Sequence, residues 1–227
     1  MRVLAIDTAL EACAAAVLGT GAGVAAQESK IMARGHAEAL MPLIERVMRA
    51  AAAAFADLDR IAVTVGPGSF TGLRVGIAAA RGIALAANKP AVGLSTLAAF
   101  AAPLIAADDG VPVVAAVDAR HGHVYLQVFG AGGRTLVAPR IAPLREAVQR
   151  AAASGAPRLT GNAARLLAAA WPANEPPPAC VEQSGAPDIA WVARLGAAAR
   201  ETGAPVKPLY LRAPDAQPQD AGQLPRR

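Results

Sequence analysis

The string Gly66-Pro67-Gly68-Ser69-Phe70-Thr71-Gly72-Leu73-Arg74-Val75-Gly76 constrains this chain more than any other stretch. Before it runs Ile61-Ala62-Val63-Thr64-Val65, which predicts a buried strand; after it, residues 77–87 predict a helix. A glycine-rich turn between a strand and a helix N-terminus suits an anion or a closely packed partner. The string is not a Walker A loop, because no Gly-Lys-Ser/Thr follows, and it is not G-x-G-x-x-G. Gly68 and Gly72 let the backbone approach something closely, and Ser69 or Thr71 can cap the helix. Arg74 reads as a first-turn residue, where the helix dipole disfavours a cation by about 0.3–1 kcal/mol, so it calls for a partner anion on this chain or another. Gly76 inside the helix costs about 1 kcal/mol relative to alanine, which a tight contact within the chain or with a partner helix would offset.

The flanking pattern extends this unit. Residues 2–7, 12–18 and 24–31 predict three strands joined by short turns, an antiparallel meander. Residues 36–55 predict a helix with Leu40, Leu43, Ile44, Val47 and Met48 on one face; Pro42 requires that the regular helix begin near Leu40 or that the first turn bend. After the glycine turn and its helix, residues 91–94 predict a strand and 95–106 a helix capped by Ser95. The order β-β-β-α-β-α-β-α is that of a ribonuclease-H-like unit. Past Asp108-Asp109-Gly110 it begins again: strands over 111–117, 123–129 and 134–138, helices over 143–153, 162–171 and 189–202, and short strands over 158–161 and 179–182. The expected fold is α/β, two lobes of actin/sugar-kinase (ASKHA) type, each a mixed sheet flanked by helices. The expected division is 1–107, 108–212 and a disordered tail over 213–227.

Composition narrows the function classes. Hydrophobic residues make up 54% and aromatics only 4%, so the core is built on small side chains, chiefly alanine. No stretch reads as a membrane span, because Pro103 interrupts the apolar run over 94–107, and the N-terminus reads as no signal peptide; a cytoplasmic protein is expected. Cys13 and Cys180 form no motif and read as small buried apolar residues. The net charge of +5 is scattered, which predicts weak nucleic-acid binding at most.

Among candidate chemical groups, Asp7-Thr8 ends the first strand. In a two-lobed nucleotide-binding fold an Asp there can hold a metal-bound water and Thr8 can touch phosphate; the alternative is an Asx or ST turn. His121 and His123 alternate along a strand without a supporting carboxylate pair, which argues against a metal site. His36 opens a helix as a capping or interface residue. Asp118-Ala119-Arg120 mirrors Asp7 in the second half, and an Asp–Arg pair fixing a turn is the simpler reading.

Asp7-Thr8, His36-Ala37-Glu38-x-Leu40-x-Pro42, the string from Gly66 to Gly76, Val117-Asp118-Ala119-Arg120 with Val124-Tyr125, and Pro208-Leu209-Tyr210-Leu211-Arg212 together resemble the TsaB (YeaZ) family, over most of the chain. The resemblance implies a non-catalytic subunit that supports TsaD, with the ATPase TsaE, in placing the threonylcarbamoyl group on adenosine 37 of tRNAs reading ANN codons. TsaD is expected to hold its metal through an H-x-x-x-H pair; Thr96 and Phe100 stand at those positions here, so no catalytic or metal-ligating residue carries over.

The implied partner surface comprises His36, Leu40, Leu43, Val47, Ser69, Phe70, Thr71, Leu73, Arg74, Gly76, Ile77, Ala80 and Arg81, with helices 36–55 and 71–87 pairing with those of TsaD or of a second copy. On that reading Gly76, Ala79 and Ala80 admit a partner helix, and Leu40, Leu43, Val47 and Leu73 are apolar yet exposed. Asp7, Thr8, Gly66, Gly68 and Ser69 are the residues nearest any nucleotide or phosphate. No cofactor is expected to bind tightly to this chain; ATP and metal are used by the partner subunits, and tRNA is met through the complex. The rival readings are a small-molecule phosphotransferase, a metallopeptidase and a direct tRNA-binding module.

Overall fold

A computed structural model describes residues 1–212 apart from Ala22, Asp108, Asp109 and Thr202, so part of the predicted lobe boundary and the predicted tail lie outside the described residues. In the first lobe, β1 (Val3–Asp7), β2 (Ala12–Leu18) and β3 (Val24–Ile31) form the expected meander. Then follow α1 (His36–Ala50), β4 (Arg60–Gly66), α2 (Phe70–Ala87), β5 (Ala91–Ser95) and α3 (Thr96–Ala106). β4 pairs in parallel with β1, and β5 with β4, giving the order β3-β2-β1-β4-β5.

The second lobe repeats this plan. β6 (Val113–Asp118), β7 (His123–Phe129) and β8 (Thr135–Pro143) are antiparallel, and α4 (Leu144–Ala152), β9 (Arg158–Gly161), α5 (Ala164–Ala169), β10 (Cys180–Gln183) and α6 (Ile189–Ala198) follow. The sheet order is β10-β9-β6-β7-β8, the first sheet's connectivity over again. β8 continues past the predicted limit at residue 138 and runs through Pro139. As the edge strand it tolerates a residue with no N–H to offer.

Alternation along the central strands assigns the layers. Leu4, Ile6, Ile61 and Val63 face one side, where α1 and α2 cover them. Val3, Ala5, Ala14, Ala16 and Ala62 face the other, where α6 lies. The alanine content matters here, because a Cβ added at Gly196 of α6 would overlap the Cβ of Ala62. α6 therefore belongs to the first lobe although it ends the second half of the sequence, which corrects the division at 108–212. Arg60 fastens it there, donating to the carbonyl oxygens of Gly196 at 3.0 Å and Ala199 at 2.5 Å. α3 bridges the lobes, with Ala99 against the first sheet and Leu97, Phe100 and Leu104 against Val113, Ala115 and Phe129.

Two helix limits differ from expectation. α1 starts at His36 and carries Pro42 inside it, and it stops at Ala50, so Phe55 falls in a separate short 3-10 turn. α2 starts at Phe70, which places half of the glycine string inside the helix and Arg74 beyond its first turn, where the dipole penalty fades. By length and composition α2 is also apolar enough to cross a membrane, which amends the reading that no stretch is. Within the fold its buried side lies on the sheet with Leu73, Ile77 and Ala80 in the core. Cys13 is buried, which pushes its thiol up to about 11, whereas Cys180 is only half-buried.

Candidate docking face and inter-lobe cleft

Gly68, Gly72 and Gly76 recur every four residues, so they line up on one side as the turn passes into α2. That side lies on the turn between β1 and β2. A Cβ at Gly68 would overlap the carbonyl oxygen of Ala9, one at Gly72 that of Thr8, and one at Gly76 the Thr8 hydroxyl. Hydrogen bonds seal the contact: Ser69 N donates to Ala9 O at 2.7 Å, and Thr8 Oγ1 donates to Gly72 O at 2.7 Å. Ser69 Oγ accepts from Gly72 N at 3.3 Å as the expected cap. Gly66 has φ +115°, and a side chain there would crowd Leu73 and the carbonyl of Leu209. The glycines thus serve a contact within the chain, not a partner helix. The backbone of the Thr8–Ala9 turn packs against the inner side of the glycine string, while Gly68 and Ser69 also face the space between the lobes.

Asp7 is wholly buried at the end of β1. Its Oδ1 accepts from Thr64 Oγ1 and from Ala9 N at 3.2 Å, an Asx turn, while Oδ2 has no hydrogen-bond partner. Burial raises its pKa above the ordinary carboxylate value, against the smaller lowering effects of its hydrogen bonds and of His36. Asp7 is therefore a structural group of the turn.

A cleft of about 420 Å³ separates the lobes, lined on one side by Glu11, His36, Ser69 and Phe70 and on the other by Asp118, Arg120 and Asn162. His36 Nε2 lies 3.1 Å from Leu10 O; the carbonyl only accepts, so Nε2 carries the proton. Asp118 Oδ1 accepts from Arg120 N at 2.7 Å, and Asn162 Oδ1 from Asp118 N at 2.8 Å, so the Asp118 carboxylate fixes the turn through the backbone N–H of Arg120 and not through its guanidinium. His121 sits in the turn with φ +50°, not on a strand, and its carbonyl lies 2.9 Å from His123 Nδ1. Thr96 and Phe100 are buried in the core between the lobes, where neither offers a metal ligand.

The partner residues inferred from the resemblance divide by burial. Leu40, Leu43, Val47, Leu73, Gly76, Ile77 and Ala80 are buried within this chain, and His36 is nearly so. The expectation that Leu40, Leu43, Val47 and Leu73 form an exposed apolar face is corrected: their own sheet covers them. Ser69, Phe70, Thr71, Arg74 and Arg81 remain outward. The sequence reading missed an apolar groove of about 630 Å³ between α1 and α2, formed by Met41, Phe55, Ala79, Gly82, Ile83 and Ala86. The spacing of Ala79, Gly82 and Ala86 on the side of α2 away from Leu73 and Ile77 was the available signal.

Residues 23–158 match the family model of TsaD, tRNA N6-adenosine threonylcarbamoyltransferase. The TsaB protein of Escherichia coli, named for tRNA threonylcarbamoyladenosine biosynthesis, is 40% identical over 55% of this chain and 53% of its own length. An uncharacterized protein of Mycobacterium bovis is 36% identical over 95% of this chain and 94% of its own length. A solved Pseudomonas aeruginosa structure, described as YeaZ, superposes with a TM-score of 0.78 at 26% identity, over 92% of this chain and 99% of the other. The chain belongs to the TsaB (YeaZ) family. The match spans only about half the length of the curated TsaB proteins of E. coli and Haemophilus influenzae, 53% and 52%. The likeness to the YeaZ structure nevertheless extends over both lobes.

Proposed function

We propose that this chain acts in tRNA threonylcarbamoyladenosine biosynthesis as a non-catalytic subunit that docks a TsaD-type transferase through the outward sides of α1 and α2. One observation carries the reading: the glycine side of α2 is closed on Thr8 and Ala9, while the outward side is left with an apolar groove and small residues at Ala78 and Gly82. A helix with small outward residues beside an apolar groove admits another helix closely. TsaE, ATP and metal act with the transferase, tRNA is met through the complex, and the cytoplasm is the setting. The same face admits a second copy of this chain.

Reconstitution tests the proposal. The purified chain is mixed with the TsaD-type and TsaE-type proteins of the same organism, tRNA, ATP and threonylcarbamoyl-adenylate. Modification that requires the chain, with the chain alone inert, supports it; equal modification without the chain overturns it. Gly82→Arg is expected to abolish docking at unchanged Tm. Leu43→Ala, in the core, is expected to cost about 2–5 kcal/mol of stability instead.

A further inference from the structure

The outward stripe of α2 begins with an arrangement that groove packing does not explain. Phe70 and Tyr210 are 52% and 46% exposed, large apolar surface for a chain so poor in aromatics. Their ring centroids lie 5.8 Å apart, with planes 28° from parallel. The guanidinium carbon of Arg74 sits 3.6 Å from the Phe70 centroid, and Arg74 Nε donates to the Tyr210 hydroxyl at 3.3 Å. Tyr210 comes from the far end of the described chain. Leu209 N donates to Val65 O at 2.7 Å, which ties the segment over 206–212 to the end of β4, where α2 begins.

These contacts use one face of the guanidinium and one of its N–H groups. No acidic side chain among the described residues pairs with Arg74, so its remaining N–H groups are open to a carboxylate of another chain. A cation-π contact and a hydrogen bond restrict the side chain in advance, which lowers the entropy lost when a further ligand binds. The planar fork of an arginine matches a carboxylate in two parallel hydrogen bonds. Exposed aromatic rings around an arginine are the composition of an interface hot spot, where they exclude water from the charge pair. A strand of nucleic acid would require several cations tracking the backbone, whereas the stripe from Arg74 adds one further cation, Arg81, among Ala78, Gly82 and Leu85.

We infer that Arg74, held by Phe70 and Tyr210, receives an aspartate or glutamate side chain of the docked protein, and that the segment over 206–212 is a third element of the docking surface beside α1 and α2. The inference rests on the reading of α1 and α2 as the docking face. Tyr210 is a positioning residue, since it acts through Arg74.

The test is calorimetric titration of the full chain with the TsaD-type transferase of the same organism, with Tm measured for every variant. Arg74→Lys keeps the charge and removes the fork; Tyr210→Ala removes the ring and hydroxyl; Tyr210→Phe removes the hydroxyl alone. The first two are expected to weaken binding about tenfold or more, and Tyr210→Phe by less, with Tm unchanged for Arg74→Lys. Parent affinity in Arg74→Lys, with binding abolished by Gly82→Arg, would overturn this inference and leave the docking face standing. No binding by the parent chain would overturn both. A loss of tRNA affinity in Arg74→Lys at unchanged transferase affinity would assign the cation to nucleic acid and overturn the inference as well. Should Tyr210→Ala lower Tm, Arg74→Lys still decides, because its side chain is exposed.

Discussion

The hydroxyl of Thr8 donates to the carbonyl of Gly72 across sixty-four residues of sequence, at 2.7 Å. This bond marks the place where the start of α2 rests on the end of β1, and it shows why the helix carries glycine where alanine would be the better helix former. Gly76, one turn further along, faces the same hydroxyl.

Gly76→Ala is expected to destabilise the chain by about 1–3 kcal/mol, because the new methyl group meets Thr8 Oγ1 in a packed layer. Gly76→Leu is expected to prevent folding. Chemical denaturation of Thr8→Ala, Gly76→Ala and the double variant checks the contact. Coupling between the two sites is expected, since they touch.

Asp7→Asn is expected to unfold at a higher temperature than the parent at neutral pH and to lose that advantage in acid. Burial raises the Asp7 pKa in the fold, so the folded state prefers the protonated acid. Asp7 therefore contributes most favourably below its ordinary pKa of 3.8, and that contribution is lost as pH rises through the raised folded value. Asparagine keeps the acceptor for Thr64 and Ala9 without ever ionising. Thermal unfolding of both proteins across the acid range is the measurement; a constant difference at all pH values would contradict this account.

Arg60→Met is expected to cost about 2–3 kcal/mol, because it strips charged hydrogen bonds from the carbonyls that close α6. Glu201 receives the same guanidinium at 2.7 Å but is half exposed, so Glu201→Gln is expected to change stability by less than about 1 kcal/mol. Hydrogen exchange on α6 distinguishes local loosening of this helix from global unfolding, and the largest loss of protection in Arg60→Met is expected over residues 189–198.

Much of the architecture was legible from local pattern. The meander over β1 to β3, the crossover through α2, and the return of the same order after Gly110 all follow from short-range periodicity and turn residues, which act over a few positions. The serine caps were legible for the same reason: Ser69 and Ser95 accept from N–H groups only three residues away. The site was less legible. Leu40, Leu43, Val47 and Leu73 read correctly as an apolar face, and the error lay in what covers it.

By itself the sequence determined the succession of strands and helices, the duplication, and the demand for something very close to Gly68, Gly72 and Gly76. Tertiary structure alone decided that this neighbour is the Thr8–Ala9 turn, that α6 crosses back to the first lobe, and that Tyr210 meets Arg74. The physical reason is that hydrophobic burial is non-directional. An apolar stripe encodes that it must be covered, while the covering surface depends on contacts between segments distant along the chain, which local periodicity does not record.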